Sequence, residues 1–384
     1  MHASGTTRDF SIIGGPLHRL GGRLGLVRAE GNTVPLGLAI AAFLWLVWFA
    51  LKLLDGAGDE IFSWSLVGGH VRILVAIPVF FVCETLANPR MAVFGQGLVR
   101  MRIMPDSALP AMQAEIERAA RWRKSWLPEG LCLLVAVLML AAPREVVPGS
   151  TASYTPGFAG ADSLAGQWYL IVCLTVVRFL LLRWLLHLFL WYRFLFFVAR
   201  QDLRLVAIHP DSVAGLGYVE LVHARLVLLA FAASAILAAS FAEDILAGRM
   251  AFEASYLGIA VVLAVYAALF LGPLLVFAPK LEACRARASR DYKEFAQGYV
   301  RGFEEKWVAG PAPGETLLGT PDLQSLADLA NSVNIVRDMR VVPISKRLVQ
   351  KLLGAALVPM LPLVLLKYPV AELVGVVFKR LSGM

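Results

Sequence analysis

The chain has 384 residues, of which 58% are hydrophobic and only 17% charged, with a mean hydropathy of +0.68. That excludes an ordinary soluble domain, in which apolar residues make up about half, and points to a polytopic membrane protein. A formal charge of +8 would suggest nucleic acid in a soluble protein. Here the Lys and Arg gather in alternate loops, the pattern that orients membrane helices, so the balance is assigned to topology and anionic lipid, and no nucleic-acid partner is expected.

Residues 1–33 read as a basic arm. Arg8, Arg19, Arg23 and Arg28 alternate with Phe10, Ile12, Ile13, Leu17, Leu20 and Leu24, a composition suited to a membrane surface. The glycine pairs at 14–15 and 21–22 weaken a continuous helix, so a solvated basic tail is the competing expectation. The first span, Pro35 to Leu54, has no small-residue cleavage site just beyond it and reads as uncleaved. The acidic connection with Asp55, Asp59 and Glu60 follows, and its lack of Lys and Arg places it outside and the N-terminus in the cytoplasm. The second span, Leu66 to Leu86, carries Arg72, Pro78 and, near its cytoplasmic end, Glu84. Glu84 is either an interfacial group or a buried partner.

A basic cytoplasmic segment contains a helix near 107–125, capped by Asp106 or Ser107, whose stripe of Leu109, Met112 and Ile116 is expected to lie under its own bundle. The third span, Leu127 to Ala142, is short and opens with Pro128 and Glu129. An irregular, nearly uncharged outer loop follows.

From Gln167 to Arg204 nothing interrupts a helix, since no Pro or Gly occurs between Gly166 and Pro210. Such a helix of about 38 residues would run roughly 57 Å, beyond the roughly 30 Å hydrocarbon layer. Arg178 falls near mid-membrane, with Arg183 and His187 nearer the cytoplasmic face. Ionisable groups at that depth need partners or water. Arg183 and His187 share a face, and Arg178 lies about 140° away from Arg183. The fifth span opens with Glu220, His223 and Arg225, which should share the depth of Glu84, Arg183 and His187. The expectation is a polar cluster from the second, fourth and fifth spans, with Glu84 and Glu220 neutralising Arg183 and Arg225. It is either a static ion-pair lock or a water-filled permeation site. Arg178 has no evident acidic partner, which favours an anion path or an intersubunit contact. In the linker between these spans, His209 and Asp211 read as turn chemistry rather than catalysis or metal binding.

The sixth span, about Ser255 to Ala278, completes a six-span bundle over 34–278. Residues 279–345 carry two amphipathic stripes that pair most simply as a cytoplasmic helical hairpin, with an oligomer interface as the competing reading. The second helix is expected to start at Thr320 as cap with Pro321 and Asp322 following. Residues 346–384 hold a seventh apolar segment broken by Pro359 and Pro362, then a short tail. Cys83, Cys132, Cys173 and Cys284 show no CxxC pairing and read as small packing residues.

The stretches HPDSVAGLG and DLQSLADLANSVNIVRDMRVVPIS, with the Pro-broken final segment, resemble an uncharacterised family of bacterial multi-pass inner-membrane proteins over roughly the second half of the chain. The resemblance implies a compartment, the bacterial inner membrane, and says nothing of activity. The fold expected is an all-α polytopic transmembrane bundle of six to seven spans with amphipathic cytoplasmic helices. The function expected is a channel-like or transporter-like pore component for small anions. The alternative is a non-transporting subunit that binds a cytoplasmic partner or transmits a signal. With no nucleophile beside a base, no metal-ligand spacing and no cofactor loop, neither enzyme activity nor a cofactor is expected.

Overall fold

The computed structural model describes residues 10–27, 31–63, 66–141, 163–310, 314 and 321–367. It is an all-helical membrane bundle, built from α1 (Pro16–Arg23), α2 (Val34–Leu54), α3 (Val67–Arg100), α4 (Leu109–Lys124), α5 (Trp126–Leu138), α6 (Leu164–Ala199), α7 (Gly217–Leu246), α8 (Phe252–Trp307), α9 (Pro321–Asp338) and α10 (Lys346–Lys367). Among the described residues six helices are long and apolar enough to cross a membrane: α2, α3, α6, α7, α8 and α10. Their outward faces carry Phe43 and Leu46 on α2, Leu185 and Phe189 on α6, and Leu257 and Val261 on α8, all exposed. Large apolar side chains outside and charged ones inside is the arrangement that a hydrocarbon solvent selects.

These six differ from the expected set. The third segment forms only the 13-residue α5, about 20 Å long and short of the hydrocarbon thickness. The Pro-broken final segment instead forms the 22-residue α10 against α7. Pro359 sits in a 3₁₀ turn, Val358–Met360, where its missing N–H is tolerated, and the helix resumes at Leu361. The predicted outer loop falls largely within 142–162 and the tail within 368–384, both outside the described residues, as do Arg8, Arg28 and Thr320.

The long helices α3 and α7 make the most extensive contact and are the most enclosed spans; α2 packs on α3, α10 on α7, and α5 and α8 on α6. Gly37 lets α2 approach so closely that a Cβ there would lie 2.6 Å from the Phe81 ring. Helix α6 stops at Ala199 rather than Arg204, and residues 201–216 form an irregular connection. Helix α4 starts at Leu109 without a side-chain cap, so neither Asp106 nor Ser107 serves as one. Caps do operate at Ser125, Ser163 and Ser345, each accepting a backbone N–H from the first turn of α5, α6 and α10 respectively.

One end of the bundle gathers α1, α4, residues 201–216 and the starts of α2, α7 and α10. Helix α8 runs on past this end, and α9 folds back along it. The α8–α9 pair is closed by Asp322, which accepts from Lys306 Nζ at 2.8 Å and from Trp307 Nε1 at 3.0 Å. Those two donors hold the Asp322 carboxyl below its ordinary range.

Candidate functional site

The most concentrated buried charge lies between α3, α5 and α6, near the α1 end. Arg183 is 1% exposed. Its Nη2 donates to Glu84 Oε1 at 2.9 Å and its Nε donates to Glu129 Oε1 at 3.0 Å. One guanidinium therefore bridges carboxylates from two other helices, using the forked donor geometry that suits arginine to this task. Glu84 is fully buried, so the open choice at this position is settled for a buried partner. His187, 3% exposed, sits with Nδ1 4.0 Å from Glu84 Oε1, its ring edge-on to Trp184.

The cluster is completed by the described part of the N-terminal arm, residues 10–27, which neither lies free in solvent nor only rests on a surface. His18 of α1 places Nε2 3.2 Å from Glu84 Oε1, and its Nδ1 lies 3.0 Å from Arg183 Nη2. The same Nδ1 also lies 2.8 Å from the Gly14 carbonyl, so the tautomer decides which of these neighbours the ring serves. The Leu17 N–H donates to Glu129 Oε2 at 3.0 Å. Upstream, Asn88 Oδ1 accepts from Ser11 Oγ and Ile12 N, both at 2.8 Å, and Arg123 donates to the Ser11 carbonyl. Burial lowers the Arg123 pKa from its ordinary value. Phe10 is 2% exposed, stacked on Phe194 and tilted against Trp191. The glycine pair read as a helix weakener has a packing reason: a Cβ at Gly15 would lie 2.5 Å from Glu129 Oε1, and one at Gly14 2.7 Å from Arg123 Nε. Both residues also have positive φ, 143° at Gly14 and 102° at Gly15, where only glycine is unstrained.

Arg72 lies elsewhere, toward the opposite end. It donates to Glu243 through Nη2 at 3.2 Å, to Tyr169 Oη at 2.9 Å and to Ser240 Oγ at 2.8 Å. Glu243 belongs to the last turns of α7 and is 2% exposed. Gly68 makes room for it, because a Cβ there would fall 1.6 Å from Glu243 Oε1.

Arg178 does have a partner. Its Nη1 donates to the Met139 carbonyl at 3.2 Å, just past the last residue of α5. A cation there satisfies a terminal carbonyl and complements the helix dipole, which removes the argument for an unpaired charge. His223 is buried but outside the Arg183 cluster: Nδ1 lies 2.7 Å from the Phe270 carbonyl, and Nε2 accepts from Trp191 Nε1 at 3.4 Å. Phe270 stands in a π-helical turn, Ala267–Leu271, followed by a 3₁₀ stretch with Pro273, the kind of break that frees a carbonyl.

Glu220 and Arg225 do not join the cluster. Arg225 is exposed, because it lies on the face of α7 turned away from α3 and α6. Glu220 accepts from Arg340 Nη1 at 3.1 Å and from Ser345 Oγ. Arg340 also donates through its backbone N–H to the Ser212 carbonyl at 2.8 Å and through Nη2 to the Asp211 carbonyl at 3.2 Å. The two sequence stretches that carry the family resemblance thus meet in space. His209 Nδ1 lies 2.9 Å from Asp211 Oδ1, and the Asp211 carboxylate also takes the backbone N–H groups of Val213, Gly215 and Gly217 at 2.8–3.1 Å. That is turn chemistry, and it holds Ser212 and Ala214 at φ near +57° and +56°.

No family model, curated protein or solved structure matches the chain. Function is therefore read from the geometry alone.

Sequence reasoning missed Glu129, His18 and Glu243. Glu129 follows Pro128 at the start of an apolar run, where an acid needs a buried partner. His18 lies between two glycine pairs, a spacing that permits close backbone approach. Glu243 lies at the end of an apolar run beside Asp244, where an acid reads as a mark of the outer loop rather than as a buried partner.

Proposed function

We propose that the protein is a channel-like or transporter-like pore component of a bacterial inner membrane, held closed in this conformation by its own N-terminal arm, with the α1 end in the cytoplasm. The observation that carries this reading is the docked arm. His18 touches both Glu84 and Arg183, and the Leu17 N–H donates to Glu129, all from a chain segment that belongs to no span. A purely static lock needs only the spans themselves, whereas a removable segment over buried charge fits a closure. The orientation follows from the cations at this end, Arg19, Arg23, Arg121, Lys124 and Arg200 among them, all exposed.

Arg183 and Arg123 stand against Glu84 and Glu129, so the charges at the closure balance. A preference for small anions then rests on the arginines alone, and the test carries chloride and potassium side by side. Flux into proteoliposomes is expected to be low for the native chain and raised in a Phe10→Ala/His18→Ala variant that releases the arm. No flux of either ion from either protein would move the assignment to the alternative, a non-transporting subunit that binds a partner. That alternative has its own support in the α8–α9 pair, which leaves Phe295 64% and Leu323 47% exposed beyond the bundle. Catalysis and cofactors form no part of either reading.

A further inference from the structure

We infer that the outward face of α1 is a docking surface for the headgroups of anionic lipid, and that lipid bound there holds the arm in the polar cluster. The inference takes from the preceding section only the docked arm and its membrane face, and does not require that the protein conduct.

Helix α1 has two faces with different tasks. His18 and Gly21 are buried, whereas Arg19, Leu20, Arg23 and Leu24 at its other side and end are exposed, the two leucines by 55% and 63%. These four positions span an arc of about 140°. Two arginines on one side of the arc and two exposed leucines on the other are unfavourable in water, yet suit a headgroup layer in which the guanidinium meets phosphate and the leucine reaches the acyl boundary. The depth agrees. Gly21 packs on Leu36, in the first turn of α2, with only 2.8 Å from an added Cβ to Leu36 Cδ2, so α1 lies at the level where the first apolar span begins. Gly14 and Gly15 pack on Arg123 and Glu129, and between those two residues stands Trp126, 67% exposed, as expected of an aromatic belt. Positive charge on the outer face of the same short helix whose inner face carries His18 couples headgroup binding to docking.

The test measures amide hydrogen exchange of the full-length protein in nanodiscs of phosphatidylcholine alone, or with phosphatidylglycerol added. The amides read are Ile12, Ile13 and Leu17, whose N–H groups bond to Asn88 and Glu129 inside the bundle. Each arginine near an anionic surface contributes about fivefold, so two should raise protection by roughly 25-fold. Arg19→Gln/Arg23→Gln should abolish the lipid effect, and Arg19→Lys/Arg23→Lys should retain it. Equal protection in both lipids, or an unchanged lipid effect in the glutamine variant, would overturn the inference. So would inorganic phosphate reproducing the effect in phosphatidylcholine discs, because that would reassign the site to a free anion. Since exchange is read without any flux, a failed transport assay leaves this result standing.

Discussion

Arg183→Met is the perturbation with the largest expected effect. The guanidinium is 1% exposed and bridges two carboxylates at 2.9 and 3.0 Å. Its removal leaves Glu84 and Glu129 buried without the cation that bridges them. Breaking one buried pair costs about 3–5 kcal/mol, and with two carboxylates left unpaired the loss should lie near the upper end, about 5 kcal/mol. Taking the carboxylates away as well, in Arg183→Met/Glu84→Gln/Glu129→Gln, removes the unpaired charges and should recover most of that loss, since a buried ion network is often worth little against neutral groups of similar volume. The assay is equilibrium unfolding in mixed micelles, followed by tryptophan fluorescence and extrapolated linearly in denaturant. A loss below about 1 kcal/mol in the single variant, or a triple variant no more stable than the single one, would refute the reasoning from burial.

Three further outcomes are expected. Gly68→Ala, with its new Cβ 1.6 Å from Glu243 Oε1, should displace Glu243 from Arg72 and cost on the order of 3 kcal/mol in the same unfolding assay. In the arm-released Phe10→Ala/His18→Ala background, Arg178→Leu should leave flux intact and cost about 1 kcal/mol, the value of one hydrogen bond to a helix-terminal carbonyl; lost flux with unchanged stability would return Arg178 to a conduction path. The Asp322 carboxyl is depressed by Lys306 and Trp307, so the α8–α9 contact it makes is fully present above the unfolded aspartate range and is lost as pH falls through the lower folded value. Trp307 fluorescence titrated with acid should therefore change only below the ordinary range, and Lys306→Met should move the transition upward.

Which parts of this arrangement can be read from the sequence follows from the range of the interactions involved. Long apolar helices announce themselves, because a span needs about 20 apolar residues whatever surrounds it. The Glu84–Arg183 pair was legible from depth alone, since a buried arginine and a buried glutamate at one level have few alternatives to each other. Depth does not give rotation, however. Arg225 and Glu220 sit at the expected level on other faces of α7, and Glu220 is claimed by Arg340, 120 residues away along the chain. Arg178 looked unpaired because its partner is a backbone carbonyl, which every residue carries and no composition reveals. The arm was the hardest element to place. Arginines dominate its composition, and the two described ones, Arg19 and Arg23, are exposed, while the contacts that dock it come from one histidine, one phenylalanine, one serine and backbone N–H groups.

The central claim, that the arm is inserted rather than free, is tested most directly by a disulfide between Ser11→Cys and Asn88→Cys, whose native side chains meet at 2.8 Å, with the four native cysteines replaced by serine. Oxidation in native membranes should cross-link this pair as fully as the control pair Thr33→Cys/Thr85→Cys, whose hydroxyls are 3.1 Å apart between α2 and α3. A control that cross-links while the arm pair stays reduced would contradict the account.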